Sequence, residues 1–206
     1  MCGRFVLSGD WEKIAQEFDL NEIESTRWAT GDIHPGQDSA CIIRTETGNS
    51  VINLHWGFTP QWATLKSKTK LLINARAETL DEKPSFADAF QKRRCLIVAF
   101  GFYEWAAEKK LFYFYLRNDQ PFGLAGIYQP AITPSGLKSS FVIITTSPNK
   151  LIAPLHDRMP VIISVNKRSL WLDCSQYDKD RLQSLLVPYP EAEMEMRQAE
   201  FTARRI

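Results

Sequence analysis

Cysteine is the second residue of the chain, in Met1-Cys2-Gly3-Arg4-Phe5. Once Met1 is removed, Cys2 carries a free α-amine and a thiol on adjacent carbons, a pair that no internal cysteine offers. The amine has a reference pKa of about 7.7–8.0 and the thiol about 8.5, so near pH 7 both are usable nucleophiles. An aldehyde meeting such a 1,2-aminothiol forms an imine and then closes to a five-membered thiazolidine. Taken alone, a cysteine at position 2 is more simply a small tolerated residue, and the segments downstream must decide.

Five of those segments carry groups suited to chemistry or to a polyanion. Trp56-Gly57-Phe58-Thr59-Pro60-Gln61-Trp62 sets two tryptophans around a Gly and a Pro. Core aromatics are the default, but a tryptophan exposed at a strand end would stack on a base. Lys66, Lys68 and Lys70 form the densest positive run, a solvated loop or a track for a phosphate backbone. In Asn74-Ala75-Arg76-Ala77-Glu78 three polar groups alternate and would share one face of a strand. Glu104, in Gly101-Phe102-Tyr103-Glu104-Trp105, is the single carboxylate after a very apolar run. It is an ordinary strand-end acid or, if desolvated, a proton carrier with a raised pKa. His156, in His156-Asp157-Arg158-Met159-Pro160, is one of three histidines with His34 and His55, and Arg158 beside it has the fork geometry for a phosphate.

The elements that must hold these groups read as α+β, strand-dominated and mostly antiparallel, because the connections are short. Asp10 caps a short helix with Trp11, Ile14, Ala15 and Phe18 on one face. Strands are expected at 39–44 and 51–58 around Thr47-Gly48-Asn49, and at 95–100, 111–116, 122–128, 141–146 and 161–164. Helices are expected at 85–92 and within 178–186, and a last strand at 193–200. The 206 residues fit one domain, 1–206, that buries roughly 70% of its unfolded surface without disulfide or metal. The four cysteines have no zinc-like spacing and suit a reducing compartment. No signal peptide or membrane span is expected, and a net charge of +1 argues against a strongly basic coat protein.

Together the five segments, in register behind a cysteine at position 2, resemble the SOS response-associated peptidase (SRAP) family between residue 2 and about residue 164. The resemblance implies a single barrel-like SRAP domain and a cytoplasmic or nucleoid-associated monomer without cofactor or metal, whose partner is single-stranded DNA containing abasic sites. It implies loss of Met1, followed by a thiazolidine crosslink between Cys2 and the ring-opened sugar. Asn74, Glu104 and His156 would surround Cys2, while Arg4, Trp56, Trp62, Arg76 and Arg158 would lie along the DNA. The chain departs from the family at Asp32-Ile33-His34-Pro35, where an Asn-x-Ala-Pro stretch is usual; a carboxylate at Asp32 accepts hydrogen bonds but cannot donate them. Two other functions stand beside this one. One is a cysteine hydrolase built on Cys2, His156 and Glu104 or Asn74. The other is a non-covalent reader of modified DNA.

Overall fold

The computed structural model describes residues 2–20, 28–58, 60, 71–106, 110–131 and 138–200. In chain order the elements are β1 (Phe5–Leu7), α1 (Trp11–Glu17), β2 (Gly31–Ile33), β3 (Asp38–Thr45), β4 (Gly48–Trp56), β5 (Asn74–Arg76), a 3-10 turn (Ala77–Thr79), α2 (Ala87–Lys92), β6 (Arg94–Ala99) and β7 (Gly101–Trp105). They continue with β8 (Leu111–Leu116), β9 (Phe122–Gln129), β10 (Ser140–Thr146), β11 (Met159–Pro160), β12 (Ile162–Ile163), α3 (Arg168–Leu172), α4 (Lys179–Gln183) and β13 (Met194–Ala199). The class is the expected strand-rich α+β.

Two sheets share the work. One is an antiparallel ribbon in the order β13-β8-β7-β1-β2. The other closes on itself, because β10 pairs with both β4 and β9 and the path β10-β4-β3-β6-β9 returns to β10. This ring is the barrel, and its strands β6 and β10 are buried along their whole length. Such unbroken apolar runs are what a strand covered on both faces requires. The chain passes from ring to ribbon at Phe100, whose N–H donates to the Val6 carbonyl at 2.8 Å. Gly101 follows because a Cβ there would lie 2.2 Å from the ring of Tyr113.

Strand β10 is the branch point that matters for function. Its first half, Ser140 to Ile143, closes the ring against β9, with β4 on the opposite edge. Its second half carries β5 in parallel on the β4 side, Ile143 facing Asn74 and Thr145 facing Arg76. On the β9 side it carries β11, Thr145 facing Pro160 and Thr146 facing Met159. The two segments on either edge bring Asn74 and the His156 loop to one end of the barrel.

Some expectations shift in detail. The hairpin loop is Glu46-Thr47, since Thr45 pairs with Gly48, so Gly48 and Asn49 belong to β4. The single strand expected at 161–164 is two short ones: β11 pairs with β10, Val161 bonds across, and β12 pairs with β9. The helix capped by Asp10 forms, with the Asp10 carboxylate accepting from the Lys13 N–H at 3.1 Å and Ile14 and Phe18 in the core. Arg94, only 1% exposed, donates to the carbonyls of Phe90 and Gln91 at the end of α2 and of Trp171 and Asp173 at the end of α3. It satisfies the orphan carbonyls of two helix C-termini with one guanidinium.

Candidate functional site

Cys2 is fully buried, three residues ahead of β1. Its carbonyl accepts a hydrogen bond from Asn74 Nδ2 at 2.9 Å, and its sulfur lies 4.0 Å from the Arg4 carbonyl oxygen. Burial, and then the nearby Glu104 carboxylate, push the thiol pKa well above its usual value. The thiol is therefore protonated at neutral pH. This is an inert thiol until a base takes its proton.

Glu104 reaches Cys2 through the pairing of β1 with β7. Phe5 faces Phe102, and the Tyr103 N–H donates to the Arg4 carbonyl at 2.9 Å. Extending that register by two residues sets Gly3 opposite Glu104. The Glu104 carboxyl is only 2% exposed. Burial raises its pKa, against a downward pull from His156. Desolvation disfavours the charged form, so the group holds its proton to a higher pH than an exposed carboxyl does.

His156 follows the turn that begins at Asn149. Its Nδ1 accepts the Arg158 backbone N–H at 3.0 Å, so the neutral ring carries its proton on Nε2. The same nitrogen stands 3.0 Å from Asp157 Oδ1, a contact only the protonated ring could use. The Asp157 side chain itself is 83% exposed. Asn74 is fixed by β5 and by its neighbour Ile73, whose carbonyl accepts from Trp56 Nε1 at 2.9 Å. With its amide nitrogen spent on Cys2, Asn74 keeps a buried Oδ1 that has no hydrogen-bond partner among the described residues. A buried acceptor in that state is ready for an amine or hydroxyl donor. Asn74 bonds Cys2 directly and the Glu104 charge acts on its thiol, while His156 acts on Glu104.

The residues expected along DNA divide. Trp56 is a correction: it is wholly buried, stacked on Phe141 with centroids 6.1 Å apart and tilted against Phe5 at 5.1 Å. β4 runs on to Trp56 and pairs it with Phe141, so the ring is core and cannot meet a base. Among the described residues Trp105 is the most exposed tryptophan, at 45%. Strand alternation is the signal that could have found it, because an inward Glu104 turns its neighbour outward. Arg158 has its fork filled by Glu78, at 2.7 and 2.9 Å, so it is not open to a phosphate as it stands. Arg4 lies 4.4 Å from the centre of the Tyr103 ring and pairs with Asp32. Arg76 is exposed at the end of β5. Trp62, Lys66, Lys68 and Lys70 lie outside the described residues.

A buried carboxyl of raised pKa and an amide oxygen without a hydrogen-bond partner among the described residues thus lie beside Cys2, with an imidazole acting on the carboxyl. The family model described as SOS response associated peptidase (SRAP) matches residues 1–202. The abasic site processing protein YoqW of Bacillus subtilis is 38% identical over 202 residues, covering 95% of this chain and 90% of that protein. The abasic site processing protein YedK of Escherichia coli is 26% identical over 180 residues, covering 84% and 79%. A crystal structure of a protein from Bacteroides thetaiotaomicron superposes with a TM-score of 0.83 at 28% identity, over 97% of this chain and 92% of that one. With the matched residues running through every element that holds Cys2, Asn74, Glu104 and His156, the chain belongs to the SRAP family.

Proposed function

We propose that the protein processes abasic sites in single-stranded DNA by linking to them covalently through Cys2 after Met1 has been removed. The observation that carries this reading is the junction at Cys2, where the Asn74 amide holds the residue's carbonyl and leaves its own oxygen free. The relatives' names point the same way.

The residues perform the chemistry as follows. His156 Nε2–H donates a hydrogen bond to the sugar ring oxygen, which takes up the proton given up by the anomeric hydroxyl as the ring opens to the aldehyde. The neutral Cys2 amine attacks C1′ while Asn74 Oδ1 accepts from an amine hydrogen and aims the lone pair. Glu104, in its protonated form, gives a proton to the departing hydroxyl of the carbinolamine, and one water leaves. The resulting Glu104 carboxylate then takes the thiol proton as sulfur adds to the carbon of the protonated imine, and the nitrogen, which gave one hydrogen to the carbinolamine oxygen and kept the other, becomes the ring amine. The product is a thiazolidine, and the net change is loss of one water. Ring closure consumes the imine that would otherwise permit β-elimination and strand cleavage. Trp105 offers an exposed ring to a flanking base.

A hydrolase acting on other peptides fits the site less well. Activated cysteines lie in electropositive, partly exposed places that lower their pKa, whereas this thiol is buried beside a carboxylate that raises it.

Incubation with an abasic oligonucleotide, then a denaturing gel and intact mass, tests the proposal. The expected adduct has the mass of protein without Met1 plus DNA minus one water, and Cys2→Ala abolishes it. A full-yield crosslink from protein that retains Met1 would sink the mechanism.

A further inference from the structure

Two arginines beside the site share one arrangement. Arg158, two residues from His156, is clasped by both oxygens of Glu78. Arg4, two residues from Cys2, is held by Asp32. In each pair the arginine is the sheltered partner and the acid the exposed one: side-chain exposure is 13% against 51% for Arg158 and Glu78, and 13% against 37% for Arg4 and Asp32. Arg158 is tied down further, since its guanidinium donates to the Thr145 carbonyl and its backbone N–H to His156. Arg76, at the end of the strand that leads into Glu78, adds its charge to the same carboxylate. Among the described residues Arg76 has no ion pair of its own. Glu78 thus sits where two cations converge, bound through the same two-bond fork that a phosphate takes on a guanidinium.

Resting on the DNA-binding reading above, we infer that Glu78 is a built-in counter-ion that a backbone phosphate of the strand displaces from Arg158, and that Asp32 does the same at Arg4. The fixed cation and the outward, replaceable anion are what an exchange site needs. An exposed ion pair opens at little cost, and the incoming phosphate meets a fork already aimed. The functional consequence is selectivity. An intact strand gains only an exchange of one anion for another, so its binding stays weak, while an abasic strand adds a covalent bond. Acidic groups that oppose the wrong partner commonly sharpen discrimination in this way.

The test uses an intact single-stranded oligonucleotide, which binds without crosslinking, followed by fluorescence anisotropy between about 50 and 200 mM salt. Glu78→Gln keeps the length of the side chain and one acceptor oxygen but removes the charge. Binding should tighten by about fivefold at low salt, which is what one charge at contact distance is worth in water. The salt dependence should steepen by up to about 0.7 in the logarithmic slope. Asp32→Asn should behave alike, and the two gains should add. In an Arg158→Ala background the Glu78→Gln gain should disappear. A Glu78→Gln protein that binds more weakly would make Glu78 a brace for Arg158, and one with unchanged affinity and slope would exclude exchange. Either result overturns this inference alone if the parent binds the strand. A parent that binds no single-stranded DNA overturns the functional reading together with it.

Discussion

Replacing Glu104 with glutamine isolates proton transfer from shape. The side chain is buried at 2% exposure, its pKa is raised by that burial, and its charge is the second cause of the raised Cys2 thiol. A positioned general acid–base group contributes about 10²–10⁴-fold to a rate. The lower figure, about 2.7 kcal/mol of barrier, is expected, because losing the carboxylate also lets the thiol ionise more readily. Burial, the larger cause of the raised thiol pKa, stays in place. The residual rate of Glu104→Gln should therefore climb roughly tenfold per pH unit while the thiolate fraction remains small. The parent should instead fall away at low pH as Glu104 becomes fully protonated and cannot accept the thiol proton. Stability runs the opposite way. A carboxyl whose folded pKa lies above its unfolded value of about 4.3 stabilises fully below that value and loses the contribution as pH rises through the folded pKa. Above the folded pKa the parent carries the cost of the buried charge. Glu104→Gln should melt at the same or a higher temperature at pH 7, with the difference shrinking towards pH 4. Single-turnover crosslinking across a pH series, paired with thermal melts, measures both. A variant that crosslinks at the parental rate at pH 7, or that slows only because it unfolds, would refute the reasoning.

Two further outcomes follow from burial. Trp56→Ala should cost about 3–5 kcal/mol of folding stability, as expected for truncating a large buried aromatic, measured by denaturant unfolding; Trp105→Ala should leave stability nearly unchanged and weaken single-strand binding by about 1–3 kcal/mol, the worth of one stacked base. Arg94→Met should destabilise by several kcal/mol, since carbonyls at the ends of α2 and α3 lose their buried donor, and Arg94→Lys should not restore the parental melting temperature because an ammonium lacks the guanidinium's fork.

The strands that were legible in the sequence are those whose pattern is local. The runs that became β6, β8, β9 and β10 are apolar or aromatic along most of their length, and Asp10 announces α1 by its own side chain. The three-residue strands β1 and β2 have too little length for any periodicity. β1 exists because β7 offers it an edge, and β2 because β1 does in turn, which no local window can contain. Trp56 was misjudged for a similar reason: Thr59 and Pro60 signal a strand ending nearby, but burial is decided by Phe5, Phe141 and the Ile73 carbonyl, all supplied from elsewhere. The cluster of Asn74, Glu104 and His156 around Cys2 came from resemblance to a family, because nothing in the spacing of these residues ties them together. The acid clasps on Arg158 and Arg4 were invisible, since the partners lie 80 and 28 residues apart in sequence and only the fold introduces them.

The division of β10 has a consequence for motion. One half of that strand closes the barrel and the other half carries β5 and β11 on its two edges. Local opening normally spares a core and loosens its periphery, and functional groups are often drawn from the loose end. Here Asn74 hangs from a strand whose other half is the barrel's seam, and the chain leaving His156 returns to that same strand. Both segments are thereby anchored to a strand buried along its whole length. The entropy of aligning amide and imidazole is settled at folding, before any strand of DNA arrives, and little ordering is left for the encounter to supply.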